Sequence, residues 1–298
     1  MPDPQPRWAL ILHGGAKTIK PELFDRNREG CLAAAAAGAT VLRNGGSAVL
    51  AVEEAVRRLE DNPVFNAGLG SVLNSDGVVE MDAAIMDGST LAVGAVAGVR
   101  RIRNPVGVAR AMLDERPVLL AGEGAERFAA DHGIALCDPS EMIAKDAVAS
   151  EYSKAHDTVG CVALDMQGRI AAATSTGGLP GKHPGRIGDS PVPGSGFYAD
   201  DRLGGTAFSG DGESILRTML AAHVMSGLET GSAGPAAASA IARLGRVGGE
   251  AGAIVIDRAG RFGIAHNSDH FAIALDASWL DYPRAALTAA DLKDVLDG

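Results

Sequence analysis

The order of the apolar segments is the feature of this chain that most constrains its fold. Strand pairs joined by short turns are predicted at 78–99, 158–176 and 252–268, with a short tail after the last pair. Segments with helical spacing of apolar residues stand apart from them, at 27–43, after Ser47, at 105–115, at 119–131 and at 213–225. Hairpins separated from helices predict antiparallel sheets covered by helices, and they argue against alternating β–α units.

Composition and charge exclude several classes of protein. The chain has 298 residues, enough to bury a sizeable core. Its formal net charge is −10 and it has no Lys/Arg cluster, so we expect neither nucleic acid nor a membrane as a partner. The apolar run from Trp8 to Leu12 is too short for a signal peptide. Cys31, Cys137 and Cys161 are widely separated and odd in number, which predicts reduced packing residues in a cytoplasmic protein.

Several short motifs are too weak to carry a function. "PGSG" lacks the first glycine of a nucleophile elbow, "GEGAER" lacks the last glycine of a dinucleotide fingerprint, and "SGDGES" lacks the lysine of a phosphate loop. His266 and His270 lie four residues apart, which would suit a metal on one helix face. Their segment follows a predicted strand and contains Asn-Ser-Asp, which favours a turn with surface histidines.

A threonine at a predicted chain junction has the clearest chemical potential. Residues 132–157 lack regular apolar periodicity and form the predicted linker, and Thr158 begins a buried strand directly after it. A threonine hydroxyl is a poor nucleophile without a base. If the 157–158 peptide bond is broken, Thr158 gains an α-amine of pKa ~7.7–8.0 beside its own Oγ. One residue then supplies nucleophile and base; the alternative is an ordinary β-strand threonine.

Seven separate motifs resemble one known family. "HDTVGCVALD", "AAATSTGG", "PGRIGDSPVPGSGFYADD" and "SGDGE" are similar to the plant-type (type III) asparaginase and isoaspartyl peptidase family of N-terminal-nucleophile hydrolases, a close relative of aspartylglucosaminidase. "LHGGA", "NPVFNAGLGS" and "VEMDAAIMDG" resemble the N-terminal subunit of that family. The similarity runs from about Trp8 to the final strands, and the motifs occur in the family's order.

The resemblance implies a fold, a cleavage and an assembly. The expected fold is α+β, a four-layer αββα sandwich of two antiparallel sheets between helical layers, with the Thr158 strand central. Thr158 is the expected nucleophile, released when its Oγ attacks the Asp157 carbonyl and water hydrolyses the resulting ester. The single domain would then consist of two pieces, 1–157 and 158–298. Two such αβ units are expected to form a homodimer.

The same resemblance implies that Arg186 and Asp189 recognise the head group of an amino acid. A planar guanidinium can grip a carboxylate through two charge-assisted hydrogen bonds, and an aspartate three residues later can pair with an α-ammonium. The alternative is an exposed Arg–Asp pair within a loop, which would contribute little.

Ser209 and Gly210 match the family's oxyanion-hole positions. A hydroxyl and a backbone N–H aimed at a developing oxyanion each contribute roughly 2.7–4 kcal/mol in comparable sites. The family usually has Thr where this chain has Ser209, so the donor is kept but the methyl that restricts its rotamer is lost. Gly210 and Gly212 are expected to let substrate approach the backbone, and they also suit a glycine turn before a helix.

Three further features of the family have counterparts here. Thr176 matches a threonine whose hydroxyl holds the nucleophile's α-amine or orients its Oγ. Asn66 matches an asparagine near that amine, with a structural role in a turn as the equal alternative. The loop at 58–68, near Leu59, Glu60 and Phe65, resembles one that binds a structural sodium ion through backbone carbonyls, and hard cations prefer such oxygens.

Two positions depart from the family pattern. Many asparaginases of this type carry Gly before the nucleophile, whereas this chain has Asp157, as aspartylglucosaminidases do. Lys17 stands where "HGGA" is usually followed by glycine.

The function implied is hydrolysis of L-asparagine and of β-aspartyl (isoaspartyl) dipeptides to release L-aspartate, without an organic cofactor. Two alternatives stay open at the level of sequence. A glycosylasparaginase would use the same groups but needs space for a sugar beyond the scissile amide. An uncut chain would only bind an amino acid through Arg186 and Asp189.

Overall fold

The computed structural model describes residues 7–143 and 157–296. Of the predicted linker at 132–157, residues 144–156 lie outside this range; the part before them contains a short 3-10 helix, Pro139–Met142. The strands are β1 (Ala9–Lys17), β2 (Met81–Asp87), β3 (Ala92–Val99), β4 (Leu119–Ala121), β5 (Val159–Leu164), β6 (Ile170–Thr176), β7 (Phe197–Asp200), β8 (Gly204–Gly210), β9 (Ala251–Asp257), β10 (Phe262–His266), β11 (His270–Ala277) and β12 (Arg284–Ala286). The helices are α1 (Phe24–Arg43), α2 (Ala48–Glu60), α3 (Pro105–Ala111), α4 (Gly122–Asp131), α5 (Gly212–Thr218), α6 (Leu220–Leu228), α7 (Ala233–Arg243) and α8 (Lys293–Leu296).

The strands form two sheets. The larger has the order β12-β11-β1-β5-β6-β2-β3-β4 and the smaller the order β10-β9-β8-β7. Neighbouring strands are antiparallel, as predicted, except that the three-residue edge strand β4 runs parallel to β3. Strand β5, which follows Thr158, lies between β1 and β6 in the middle of the larger sheet.

Three apolar cores separate four layers. In one core, the helices α1, α2, α3 and α4 pack against the outer face of the larger sheet. A second core fills the space between the two sheets. The third packs α5, α6 and α7 against the outer face of the smaller sheet. The predicted α+β fold, an αββα sandwich, is therefore confirmed.

Local signals in the sequence explain several element boundaries. The Ser47 side chain accepts a hydrogen bond from the Leu50 amide and caps α2, as predicted. The hairpins β2–β3, β5–β6 and β9–β10 form in the expected segments. The segment between His266 and His270 is a turn between two strands.

Three details of the expected secondary structure are wrong. The helix expected at 119–131 begins only at Gly122, because 119–121 form strand β4. The helix expected at 213–225 is broken into α5 and α6 at Met219, whose φ of 51° is left-handed. The expected short tail contains β11, which pairs with β1 over most of its length.

None of the helices in the described ranges is both long and apolar enough to cross a membrane.

Two helical glycines give a test of the packing. A Cβ at Gly38 in α1 would lie 2.8 Å from the Ala51 carbonyl oxygen of α2, whereas a Cβ at Gly107 in α3 would meet no atom within 4 Å. We expect Gly38→Ala to lower the free energy of unfolding by roughly 1–3 kcal/mol through overpacking. The matched Gly107→Ala should raise it by roughly 0.4–1 kcal/mol, because alanine restricts the unfolded chain. Urea denaturation measures both, and equal effects would contradict this account of the α1–α2 contact.

Candidate active site

The peptide group that joins residues 157 and 158 is held by side-chain donors. Its carbonyl oxygen, that of Asp157, accepts hydrogen bonds from Asn66 Nδ2 at 3.1 Å and from Thr176 Oγ1 at 2.9 Å. Asn66 is itself fixed because its Oδ1 accepts from the Val72 amide at 3.0 Å. Thr176 is the last residue of β6, next to the beginning of β5. Two donors therefore face an oxygen that would become negative if the carbonyl carbon were attacked.

Thr158 is buried and hydrogen-bonded at both its nitrogen and its hydroxyl. Its amide nitrogen donates to Ser209 Oγ at 3.1 Å, and its Oγ1 lies 3.0 Å from Ser190 Oγ. Ser209 Oγ also accepts from the Ala16 amide at 3.0 Å. Since both of these amides donate to Ser209 Oγ, its hydroxyl proton remains available to another acceptor. Sequence reasoning missed Ser190, although it directly follows Asp189 in the motif that was identified.

The predicted head-group pair lies at the N-terminus of α5. A Cβ at Gly212 would lie 2.9 Å from both Arg186 Nη2 and Asp189 Oδ1, so the two side chains approach each other across this glycine. Arg186 is already bound by Glu213, with Nε to Oε1 at 2.8 Å and Nη2 to Oε2 at 2.6 Å. The guanidinium is thus engaged by a carboxylate in the two-point geometry expected for a ligand. Glu213 was expected only as the first residue of a helix.

Asp189 is a buried carboxyl with incomplete pairing. It is 2% exposed, and its Oδ2 has no hydrogen-bond partner among the described residues. Burial raises the pKa of Asp189 to about 7, although the nearby Arg186 guanidinium acts in the opposite direction. An ammonium group that entered the site would remove this cost because it would compensate the charge of the carboxylate.

Most of the predicted residues line one small cavity. Its walls include Thr158, Thr176, Arg186, Asp189, Gly210 and Gly212, together with Asp157 and Ser190. Asn66 and Ser209 reach the same place through their hydrogen bonds to Asp157 and Thr158. The volume of about 10 Å³ has room for about one water molecule. This volume is too small for an amino acid beside Thr158.

A buried ion pair also lies at this junction. Lys17 Nζ contacts Asp157 Oδ2, and both side chains are fully buried. The two residues were noticed separately in the sequence as departures from a family pattern. Nothing in the sequence signalled that they pair, because they are 140 positions apart.

In the loop after α2, two backbone carbonyl oxygens lie close to glycines. A Cβ at Gly68 would lie 2.4 Å from the Glu60 carbonyl oxygen, and a Cβ at Gly70 would lie 2.0 Å from that of Phe65. Glycine is required at these places because any side chain would collide with the carbonyls. The Glu60 side chain is fully buried, and burial raises its pKa to about 8. The Glu60 and Phe65 carbonyl oxygens are thus packed against glycines, and the Phe65 oxygen also accepts a hydrogen bond from the Ala67 amide at 2.9 Å.

The weaker metal hypothesis, at His266 and His270, gains no support. His266 Nδ1 lies 3.0 Å from the Ser268 carbonyl oxygen, and His270 Nδ1 accepts from the Ile19 amide at 3.2 Å. Within 7–143 and 157–296, no three His, Cys, Asp or Glu side chains are grouped to hold a metal ion.

The fold and the motifs agree with the comparisons to known proteins. A model of the asparaginase family matches residues 6–152 and 143–279. The isoaspartyl peptidase/L-asparaginase of Bos taurus is 44% identical over 278 residues, which cover 87% of this chain and 90% of that protein. That of Rattus norvegicus is 47% identical over 237 residues, 74% of this chain and 71% of the relative. The isoaspartyl peptidase of Salmonella typhimurium is 38% identical over 288 residues, 87% and 92% of the two chains.

The extent of these matches identifies the chain as a hydrolase. It belongs to the asparaginase family, as the motifs predicted.

Because the Asp189 carboxyl is incompletely paired, we expect its replacement to stabilise the fold in a pH-dependent way. Its folded pKa of about 7 exceeds the ordinary aspartate pKa of 3.8, so the stability of the folded state falls as pH rises through this interval. Asp189→Asn should therefore raise the melting temperature at pH 8 but not at pH 4, by roughly 2–4 °C for each kcal/mol gained. Asp200→Asn is the matched control, because Arg202 lowers the pKa of Asp200 and its loss should lower the melting temperature at pH 8. A lower melting temperature for Asp189→Asn at pH 8 would contradict the conclusion that the charge of Asp189 destabilises the fold.

Proposed function

We propose that this protein is a self-cleaving N-terminal threonine amidohydrolase that releases L-aspartate from L-asparagine and from β-aspartyl dipeptides. The observation that carries the proposal is that the hydroxyl of Thr158 shares a cavity with the opposite charges of Arg186 and Asp189. A nucleophile beside a reader of α-carboxylate and α-ammonium suits a small amino acid with a side-chain amide. The names of the relatives, isoaspartyl peptidase/L-asparaginase, support the same substrates.

Maturation begins with the peptide bond at 157–158. Thr158 Oγ attacks the Asp157 carbonyl carbon, and the negative oxygen is stabilised by Asn66 Nδ2 and Thr176 Oγ1, which already donate to it. The C–N bond breaks, the nitrogen takes up the proton lost by Oγ, and an ester remains. Water hydrolyses the ester, giving a carboxylate on Asp157 and restoring the hydroxyl of Thr158. The pieces are 1–157 and 158–298, within one domain.

Turnover then uses the new chain end. The α-amine of Thr158 takes the proton of its own Oγ as this oxygen attacks the side-chain carbonyl carbon of the substrate. The Ser209 hydroxyl and the Gly210 N–H stabilise the oxyanion. The leaving ammonia or amino acid receives the proton, and water hydrolyses the aspartyl ester of Thr158. These steps need no organic cofactor, because nucleophile, base and oxyanion donors all come from the chain.

Recognition requires an exchange of partners at Arg186. Glu213 holds this guanidinium in two-point geometry, and 53% of the Glu213 side chain is exposed. We propose that the substrate's α-carboxylate takes over these bonds while Glu213 turns to solvent. Asp189 receives the α-ammonium, and Gly212 keeps the space between them clear. The substrate thus completes the electrostatic pairing that Asp189 lacks.

A structural sodium ion would fit the loop near Leu59, Glu60 and Phe65. The carbonyl oxygens of Glu60 and Phe65 face Gly68 and Gly70 closely enough to exclude any side chain there. The ion would supply rigidity to the loop that leads to Asn66 and would take no part in the chemistry. A higher melting temperature in sodium chloride than in choline chloride would support this site, and equal values would count against it.

The proposed active form is a cytoplasmic homodimer of αβ units. Cys31, Cys137 and Cys161 are all free thiols, which is compatible with a reducing compartment. A native mass of two αβ units would support the dimer, whereas a mass of one would exclude it.

Replacing the nucleophile tests cleavage and activity together. We expect Thr158→Ala to remain one chain and to lose all hydrolysis of L-asparagine, because neither Oγ nor an α-amine is produced. Denaturing mass spectrometry and an ammonia assay measure the two outcomes. Thr40→Ala is the control, because Thr40 is exposed on α1 and, within 7–143 and 157–296, its hydroxyl bonds only to the Ala36 carbonyl of its own helix. Cut, active Thr158→Ala protein would refute the mechanism.

Substrate choice needs a separate comparison on the cut wild-type protein. Turnover of L-asparagine and β-Asp-Leu, with little turnover of GlcNAc-Asn, is expected. Preferred hydrolysis of GlcNAc-Asn would identify a glycosylasparaginase instead. An intact mass together with saturable binding of L-aspartate would identify an uncut binding protein.

A further inference from the structure

The two departures from the family pattern are the two ends of one interaction. Lys17 ends strand β1, and Asp157 precedes the central strand β5. Their side chains form an ion pair, and neither has exposed surface. Lys17 and Asp157 thus place a cation and an anion at two positions that are often glycine in the family. At full burial the contact compensates the charge of the Asp157 carboxylate, which would otherwise be costly.

The surrounding backbone makes room for this pair. Gly15 has φ of +114°, and a Cβ on it would lie 1.3 Å from Asp157 Oδ1. A side chain at position 15 would therefore displace the carboxylate. Oδ1 has no hydrogen-bond partner among the described residues, so among their charged side chains Lys17 is the one that compensates Asp157 by direct contact.

The pair acts on the same residue whose carbonyl is to be attacked. Asp157 is held at its side chain by Lys17 and at its carbonyl oxygen by Asn66 and Thr176. These two attachments fix both ends of one residue, and with it the orientation of the peptide group relative to Thr158 Oγ. Reaction rates depend steeply on such orientation.

We propose that Lys17 is a positioning residue for self-cleavage, which holds Asp157 so that its carbonyl stays between Asn66 and Thr176 and within reach of Thr158. This inference rests on the proposed cleavage at 157–158. Its consequence is coupling between the two substitutions. Replacing either residue alone should slow self-cleavage, whereas replacing both should leave the rate nearly unchanged. Lys17→Gly leaves a buried carboxylate beside the peptide bond, and Asp157→Gly leaves a buried ammonium group there. The double variant leaves neither charge.

The test is a double-mutant cycle on the rate of cleavage. The wild type, Lys17→Gly, Asp157→Gly and the double variant are made by cell-free synthesis, and cutting is followed by denaturing mass spectrometry after synthesis stops. We expect each single variant to cut at least roughly tenfold more slowly than the wild type, because loss of the Lys17–Asp157 contact lets the peptide group move away from Thr158. The double variant should recover most of the rate. Lys17→Arg keeps the charge and should cut faster than Lys17→Gly.

Stability has to be separated from positioning. The same variants are therefore made with Thr158→Ala, which keeps the chain whole, and their melting temperatures are measured. Cleavage is then timed well below the lowest of these temperatures, where all precursors are folded. If a glycine variant does not fold, Lys17→Met and Asp157→Asn replace the glycine substitutions throughout the cycle. Arg43→Gly removes an ion pair with Asp276 away from the site and should leave the rate unchanged.

Each result decides the matter. Slow single variants with a fast double variant support the inference. Single variants that cut at the wild-type rate while melting lower would show a role in stability alone, and they would overturn it. A double variant that cuts as slowly as the slower of the two single variants would also overturn the inference. A wild-type chain that stays whole would refute the proposed cleavage and the inference together.

Discussion

The structure depends on holding one peptide group still at the beginning of a buried central strand. Strand β5 is hydrogen-bonded on both sides, to β1 and to β6, and all its residues are buried. The neighbouring strands bring their own chemistry to the same end, because β1 ends at Lys17 and β6 ends at Thr176. A weakly structured loop would bring the same side chains together only part of the time. The antiparallel order of the larger sheet is therefore what makes the site geometrically possible.

Burial makes the charges of this site selective. The side chains of Lys17 and Asp157 have no exposed surface, while Asp189 is buried with an unpaired oxygen and a pKa of about 7. The Asp157 carboxylate therefore has a cationic partner at its Oδ2, whereas the Asp189 carboxyl has no hydrogen-bond partner at its Oδ2 among the described residues. A zwitterionic ligand would satisfy it, whereas a neutral amide without an α-ammonium would not. In the proposed function, recognition of the head group would thus follow from the cost of an incomplete buried network, more than from the number of contacts.

The fold was predictable where the signal is local. Hairpins with short turns, the Ser47 cap and the Ala-rich α1 all follow from neighbouring residues. Strand β11 was missed because its main partner, β1, lies at the other end of the chain, so no turn announces the pairing. The three residues of β4 are too few for a periodic pattern. The break at Met219 is a left-handed conformation that a methionine does not signal.

The site was predictable as a set of residue types but not as a network of contacts. Motif resemblance found Thr158, Arg186 and Asp189, and the structure brings all three to one cavity. It did not find that Glu213 engages Arg186, because a helix-initiating glutamate has an adequate local explanation. Pairing between Lys17 and Asp157 is likewise invisible to any local rule. Two unrelated oddities in a sequence become a single feature only when the fold places them in contact and burial forbids either charge to stand alone.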